Sequence, residues 1–413
     1  MDFSVTEEKK QITGACLKVI GVGGGGGNAV NSMAACSEMS MVTFIIANTD
    51  AQALDVSPVV HKVQLGEKIT KGLGAGSNPE IGRRAAEEDL DVVIELIKGA
   101  DILFLTGGMG GGTGSGALPV IATAARELGI LTVGVVTKPF TFEGRRRMAH
   151  ADDAIRHLKQ SVDTLLVVPN QKLLESVDPK ISMLDAFALS NNVLKQAIKG
   201  ISDIITKPGH INVDFADVRS IMKDMGLAIM GIGRKSGEGR AREAAIQAIT
   251  SPLLEEVSIQ GARGVLINVT GNLNLGLHEI NDAAEVIYDL VSEDANIILG
   301  SVIDESLGDE IMVTVIATGF EQADRPVDYG IHRNAGAGYN SYHAPRQQTP
   351  SRSPSVSTAP HVQAARPEPT VQVKQAPRPE RLEEVGGSLD MQDLDTPTFL
   401  RRKMLEKEEE RRS

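Results

Sequence analysis

The sequence predicts an α/β protein: a parallel-sheet domain, a long central helix, a second α/β domain and a disordered C-terminal linker. Three observations carry the prediction. Between Leu17 and about Val136, short β-rich apolar runs (LKVIGVG, TFIIANTD, DILFLTGG, ILTVGVVT) alternate with longer helical stretches, which is how a parallel sheet with crossover helices reads. From Ser182 to about Thr206, apolar residues recur at helical period and stop against Pro208 and Gly209, the pattern of one long helix with a sharp end. After about Glu321 the composition shifts to Pro, Ser, Gln and Arg, with eight of the chain's eighteen prolines between residues 331 and 381. Such a stretch buries too little apolar surface to offset its ordering entropy.

In chain order, residues 1–14 form a flexible N-terminus, 15–181 the first domain, 182–206 the central helix and 207–321 the second domain. The strands of that second domain are GLAIMGIG, GVLINVTG, NIILGSVID and IMVTVIATGF. Residues 322–389 make the linker, and 390–413 regain apolar residues and helical spacing, as a short docking element and tail would.

The 413 residues are 41% hydrophobic and 23% charged, enough for a sizeable core and two globular domains. Net charge is −12, which argues against general nucleic-acid binding. The charge is unevenly spread: residues 331–381 carry +5 and residues 1–330 carry −14. The opening MDFSVTEEKK lacks the basic start of a signal peptide, and no apolar run approaches the roughly 20 residues that span a bilayer. A cytoplasmic chain without direct membrane insertion is expected. Cys16 and Cys36 form no CxxC pair and no histidines cluster, so reduced thiols and no dedicated metal site are expected.

The chemistry is concentrated in two glycine loops. The first, Gly21-Val22-Gly23-Gly24-Gly25-Gly26-Gly27-Asn28, follows a strand and opens a helix expected to begin near Ala29. Its backbone amides can approach a phosphate closely. Gly21, Gly23 and Gly26 also satisfy GxGxxG, and Asp50 ends the next strand, so this loop by itself fits a nicotinamide or flavin dinucleotide as well, or merely a tight turn. The second loop, Gly107-Gly108-Met109-Gly110-Gly111-Gly112-Thr113-Gly114-Ser115-Gly116, follows another strand and opens a helix expected around Ala117 to Glu127. Two cradles at neighbouring strand ends, one carrying hydroxyls, suit a triphosphate better than a single pyrophosphate. Neither GxxxxGKS nor GxxxxGKT occurs, leaving the phosphates to backbone amides and helix dipoles.

The run Gly110 to Gly116 resembles the GGGTGSG signature of the tubulin/FtsZ family. Six further segments are similar to that family in the same order: IGVGGGGGNAVN, NTDAQAL, TKGLGAGSNPEIGRRAAEED, TKPFTFEGRRR, NVDFADVR and GARGVLINVTG. The resemblance covers roughly residues 15–321 plus the tail peptide. It implies a polymerising GTPase. Gly24, Gly25, Gly26, Gly27 and Asn28, with Gly110, Gly111, Gly112, Thr113 and Gly114, would wrap the phosphates of GTP. Gly74, Ala75 and Gly76 would close over the γ-phosphate, and Glu143 and Arg147 would contact ribose and phosphate. The base would lie against Phe187, with Asn28 and Asn191 at the guanine edge. Many relatives carry an aspartate within the Asn191-Asn192 pair, and the amide offers a donor as well as an acceptor.

By the same resemblance, Asn212, Asp214 and Asp217 of NVDFADV would be catalytic, acting on the GTP of the next subunit in a head-to-tail homopolymer. Asp214 and Asp217 at this spacing otherwise read as a helix cap. Mg2+ would be bound through the phosphates. Leu394, Phe399, Leu400 and Arg401 of LDTPTFLRRK would dock membrane-tethering and regulatory division proteins. Two other readings stay open on residues alone: a Rossmann-type oxidoreductase, and a nucleotide-binding scaffold that assembles without efficient turnover.

Overall fold

The structure, a computed structural model, describes residues 14–320 apart from 37, 38, 176, 179, 208, 210 and 255–258. The linker and the tail residues Leu394, Phe399, Leu400 and Arg401 lie outside the described residues.

Strand β1 (Leu17–Val22) runs straight into helix α1 (Gly23–Ala34). There follow β2 (Val42–Asn48), α2 (Ala51–Asp55), β3 (His61–Gln64), α3 (Glu67–Thr70), α4 (Pro79–Glu88), α5 (Leu90–Ile97), β4 (Ile102–Gly108) and α6 (Thr113–Glu127). Next come β5 (Leu131–Lys138), α7 (Arg145–Ser161), β6 (Thr164–Pro169), α8 (Asn170–Glu175) and the long α9 (Met183–Thr206). The second half holds α10 (Phe215–Met222), β7 (Gly226–Ser236), α11 (Arg240–Ile249), β8 (Gly264–Gly271), α12 (Leu277–Tyr288), β9 (Asn296–Ile303) and β10 (Glu310–Thr318).

All ten strands lie in one sheet, in the order β3-β2-β1-β4-β5-β6-β7-β10-β8-β9. Strands β1 to β6 pair in parallel, β7 continues that direction beside β6, and β10 runs antiparallel to both β7 and β8. From β1 the chain goes outward to β2 and β3, then returns to place β4 on the other side of β1. That reversal is a topological switch point, where the loops leaving adjacent strand ends diverge and open a crevice. Both glycine loops leave from it, one after β1 and one after β4.

Burial explains why the parallel strands read as continuous apolar runs. Ile102, Leu103, Phe104 and Leu105 of β4 are all fully buried. Ile102 and Phe104 pack with α1 and α9, while Leu103 and Leu105 pack with α5, α6 and α7, as the period of two requires. Helix α9 lays Val193, Leu194, Ala197, Ile198, Ile201 and Ile204 on the first face. Ser182 caps it by accepting from the Asp185 amide at 3.1 Å. A third cluster, including Ala244, Val265, Ile267, Ile287, Val313 and Val315, fills the second half.

Two expectations are corrected. Helix α1 begins at Gly23, not near Ala29, and α6 begins at Thr113, not Ala117. Glycine's low helix propensity makes such starts read as loop, but backbone packing against the neighbouring strand end overrides it. Gly26 shows this: a Cβ there would sit 2.4 Å from the Thr106 carbonyl oxygen. Among the described residues, no helix is long and apolar enough to cross a membrane.

Candidate functional site

A cleft of about 330 Å³ opens at the carboxyl ends of β1, β4 and β5. Its floor is the two glycine loops in backbone contact: a Cβ on Gly23 would lie 3.1 Å from Gly114 N, and one on Gly25 3.0 Å from Gly108 N. Neither α1 nor α6 has a side-chain cap, and neither has an acidic residue in its first turn. Two sets of orphan amides and two positive dipole ends therefore converge on one cleft, which is an anion-binding arrangement. Gly24 and Gly111 also line the cleft, yet nothing lies within 4 Å of where their Cβ atoms would be and neither has a positive φ. The protein's own packing does not require glycine at these two positions.

Of the predicted phosphate residues, Gly24, Gly25, Asn28, Gly111, Gly112, Thr113 and Gly114 line the cleft. Gly26, Gly27 and Gly110 do not. Gly26 serves the contact of α1 with β4, and Gly110, at φ +94°, lets the loop pass the Arg147 backbone while its amide donates to Ser115 Oγ at 2.8 Å. Gly74, Ala75 and Gly76 are not among the residues that line the cleft. Gly74 and Gly76 have positive φ and open surroundings, and the buried Ala75 abuts Gly112, where a Cβ would come within 2.8 Å of the Ala75 methyl. The loop is thus set against the second cradle.

Glu143, Arg147, Phe187 and Asn191 form the opposite wall. Glu143 accepts from the Phe140 amide at 2.9 Å and pairs with Arg147 at 3.1 Å, so the guanidinium stands at the cleft edge with its position fixed. Phe187, 38% exposed, meets Phe140 edge-on at 5.3 Å, and Phe140 stacks on Phe142 at 5.0 Å. This aromatic cluster offers an apolar face to a flat ring.

Asn212, Asp214 and Asp217 are placed elsewhere. Asp214 caps α10, accepting from the Asp217 amide at 2.8 Å, and Asn212 accepts from the Gly209 amide at 2.8 Å. Arg219 of the same helix reaches the Gly129 carbonyl just before β5, at 3.4 Å, and Thr164 at the start of β6 donates to the Met222 carbonyl. Helix α10 therefore sits at the amino ends of β5 and β6, while Thr137 at the far end of β5 lines the cleft. An eight-residue strand spans about 26 Å, and the structure does not bring these carboxylates to the cleft of their own chain.

The tubulin/FtsZ-family GTPase-domain model matches residues 16–178, and the FtsZ-family C-terminal-domain model matches residues 226–321. An empty FtsZ dimer from M. jannaschii is 43% identical, with 75% of this chain and 89% of that chain covered and a TM-score of 0.72. The chain belongs to the FtsZ family. A second FtsZ structure, of a mutant from the same organism, is 42% identical over 74% of this chain and 92% of that chain, with a TM-score of 0.71. A GTPγS-bound protofilament of CetZ2 from Haloferax volcanii, 20% identical over 75% of this chain and 95% of that chain, shares the fold at a TM-score of 0.64. This FtsZ-family protein is accordingly a GTP-hydrolysing member of a family of polymerising GTPases.

Its cleft contains residues that sequence reasoning missed. Thr137, Pro139, Asn170, Ser190 and Leu194 also line it. Asn170 and Ser190 are 4% and 3% exposed, and Ser190 Oγ donates to Asn170 Oδ1 at 2.7 Å. That bond fixes the amide's orientation and leaves its NH2 for the cleft. Asp50, the acid that kept a dinucleotide reading open, caps α2 by accepting from the Gln52 and Ala53 amides at 3.0 and 3.3 Å.

The cleft's own side chains bear on whether it could hold a magnesium ion. Among the described residues no group of three or more His, Cys, Asp or Glu side chains can hold a metal, and the Glu143 carboxylate is already engaged. The donor set would suit an ion held mainly by the oxygens of a phosphate ligand rather than by a protein cage.

Proposed function

We propose that this protein binds GTP in the cleft and hydrolyses it across a head-to-tail contact between copies, as a cytoplasmic filament that builds a division ring. The observation that carries the proposal is the sheet's polarity: the phosphate cradle lies at the carboxyl ends of the parallel strands, and Asp214 and Asp217 at the amino ends. A general base or water-positioning carboxylate must come within hydrogen-bond reach of the reacting atoms. A second copy stacked end to end supplies it, and such a heterologous contact repeats into an open filament.

In this mechanism the amides of the two helix starts and Arg147 hold the phosphates, and the ring of Phe187 packs on the base. The Asn170 NH2 and the amide of Asn191 face the base edge. A donor fixed by Ser190 suits guanine's O6 and opposes the amino group that adenine carries at the same ring position. Asp214 and Asp217 of the adjoining copy, with Asn212 shaping their loop, orient the attacking water. When bound, Mg2+ supplies neutralising charge at the phosphates. Residues 15–181 form the nucleotide domain and 207–321 the activating domain, joined by the helix over 182–206. The tail residues Leu394, Phe399, Leu400 and Arg401 dock membrane-tethering and regulatory partners through apolar anchors flanked by positive charge.

Phosphate release measured against protein concentration, with light scattering alongside, tests the shared site. Release is expected to switch on at a threshold together with scattering, and Asp217→Ala is expected to scatter with little hydrolysis. Release linear from the lowest concentration would mean the site is complete in one subunit.

A further inference from the structure

Of the residues expected to wrap the phosphates, Thr113 alone carries a hydroxyl, and the structure shows what holds it. Thr49, immediately after β2, is fully buried. Its Oγ1 lies 2.7 Å from Thr113 Oγ1. Its carbonyl accepts from the Gly74 amide at 3.1 Å and from Thr70 Oγ1 at 3.3 Å. One buried residue thus touches both predicted phosphate elements, the Thr113 cradle through its side chain and the Gly74–Ala75–Gly76 loop through its backbone.

The direction of the hydroxyl bond follows from donor counting. Each threonine hydroxyl has one hydrogen and two lone pairs. Thr113 Oγ1 is the only acceptor found for the Thr49 hydroxyl among the described residues, and a buried hydroxyl left without an acceptor is costly. Thr113, at the cleft surface, faces an acceptor-only phosphate when nucleotide is bound. The arrangement satisfying both is a chain, Thr49 O–H to Thr113 Oγ1 and Thr113 O–H to phosphate, in which each bond polarises the next.

We propose that Thr49 is a positioning residue for nucleotide binding: it orients the Thr113 hydroxyl toward the phosphates without touching them. This rests on the reading of the cleft as a phosphate site.

Affinity for a fluorescent GTP analogue, measured below the assembly threshold on parent, Thr49→Val, Thr49→Ser, Thr113→Val and the Thr49→Val/Thr113→Val double variant, tests it. Thr49→Val is expected to weaken binding about 5- to 10-fold, as loss of roughly one hydrogen bond does. Thr49→Ser is expected to bind within about twofold of the parent, because it keeps the hydroxyl. The double variant is expected to bind no more weakly than Thr113→Val, because Thr49 acts only through that hydroxyl. Multiplying effects in the double variant, or Thr49→Ser binding as weakly as Thr49→Val, would mean a packing role and overturn the proposal. If Thr113→Val weakens binding while Thr49→Val matches the parent, the positioning role alone fails. If Thr113→Val matches the parent, the cleft reading fails with it.

Discussion

Gly24 and Gly26 are two residues apart in the same helix, and replacing each by alanine should separate the ligand's requirements from the fold's. At Gly24 a methyl group meets no protein atom within 4 Å. Alanine in place of glycine in a helix is favourable by about 0.5–1 kcal/mol, so the thermal midpoint of Gly24→Ala should hold or rise by about 1–3 °C. Gly24 also lines the cleft, and if its methyl overpacks the ligand's space at a cost of about 1–3 kcal/mol, GTP binding should weaken about 5- to 150-fold. At Gly26 the methyl would lie 2.4 Å from the Thr106 carbonyl oxygen and 3.2 Å from the Gly107 Cα. Both are backbone atoms of β4, so strand and helix must part. The same 1–3 kcal/mol then falls on the fold, and the midpoint should drop by about 2–12 °C. Thermal unfolding of the nucleotide-free proteins, beside titration with a fluorescent GTP analogue, reads both. A Gly24→Ala protein that is less stable than the parent, or that binds GTP as tightly, would refute the assignment of that glycine to the ligand.

Asn170→Asp replaces a fixed donor by acceptors only and should lower the preference for GTP over ATP at least tenfold in competition binding; an unchanged preference would remove Asn170 from base recognition. Gly116→Ala puts a methyl 2.0 Å from the Pro79 carbonyl oxygen, where α4 crosses α6 behind the second cradle, and should cost several degrees of thermal midpoint by forcing two helix backbones apart. Asp304 supplies a pH dependence. Burial opposes its charge, but hydrogen bonds from Ser306 and Lys199, with the Lys199 charge, outweigh it and hold the pKa at about 2 against an ordinary 3.8. A depressed carboxylate stabilises the fold above its unfolded pKa, so about 2 kcal/mol present at neutral pH should drain away as pH falls from 4 toward 2. Urea denaturation across that window should show a shallower loss for Asp304→Asn than for the parent.

Legibility in the sequence tracked how local each signal is. The long helix is legible to within one residue, 182–206 against Met183–Thr206, because its period and its terminating proline and glycine are all contiguous. The glycine loops were visible for the same reason, but not the start of the helices they open, since propensity says nothing of an adjacent strand's backbone. Asn170 and Ser190 escaped notice: they are twenty residues apart, on different helices, and neither stands in a recognisable spacing. In the sequence Thr49 stands out only as part of NTDAQAL. Its contacts with Thr113 and Gly74 span 64 and 25 residues, respectively, and no local pattern encodes them. The joining of both halves into one sheet was hidden too, because β7 pairs with β10 before β8 and β9 are reached outward.

Helix α9 connects what the sheet separates. Its first half carries Phe187, Ser190, Asn191 and Leu194 on the cleft. Farther along, the buried Lys199 pairs with Asp203 at 3.2 Å and with Asp304 at 2.9 Å, and Lys207 joins Asp203 at 3.0 Å. Burial pushes the Asp203 carboxyl up despite these two lysines, so the cluster is expensive to hold and sensitive to displacement. A buried pair broken by moving one partner leaves an uncompensated charge and costs more than the intact pair contributes. The cluster therefore pins the helix against the end of β9 at a single axial position, while its other end lines the cleft. Beyond Thr206 the chain passes Ile211, whose amide donates to Ser301 Oγ at 2.8 Å, and arrives at Asn212 and Asp214. Across 24 residues, about 36 Å at 1.5 Å each, one helix runs from the Phe187 wall of the cleft to the approach of Asn212 and Asp214 at the other end of the sheet.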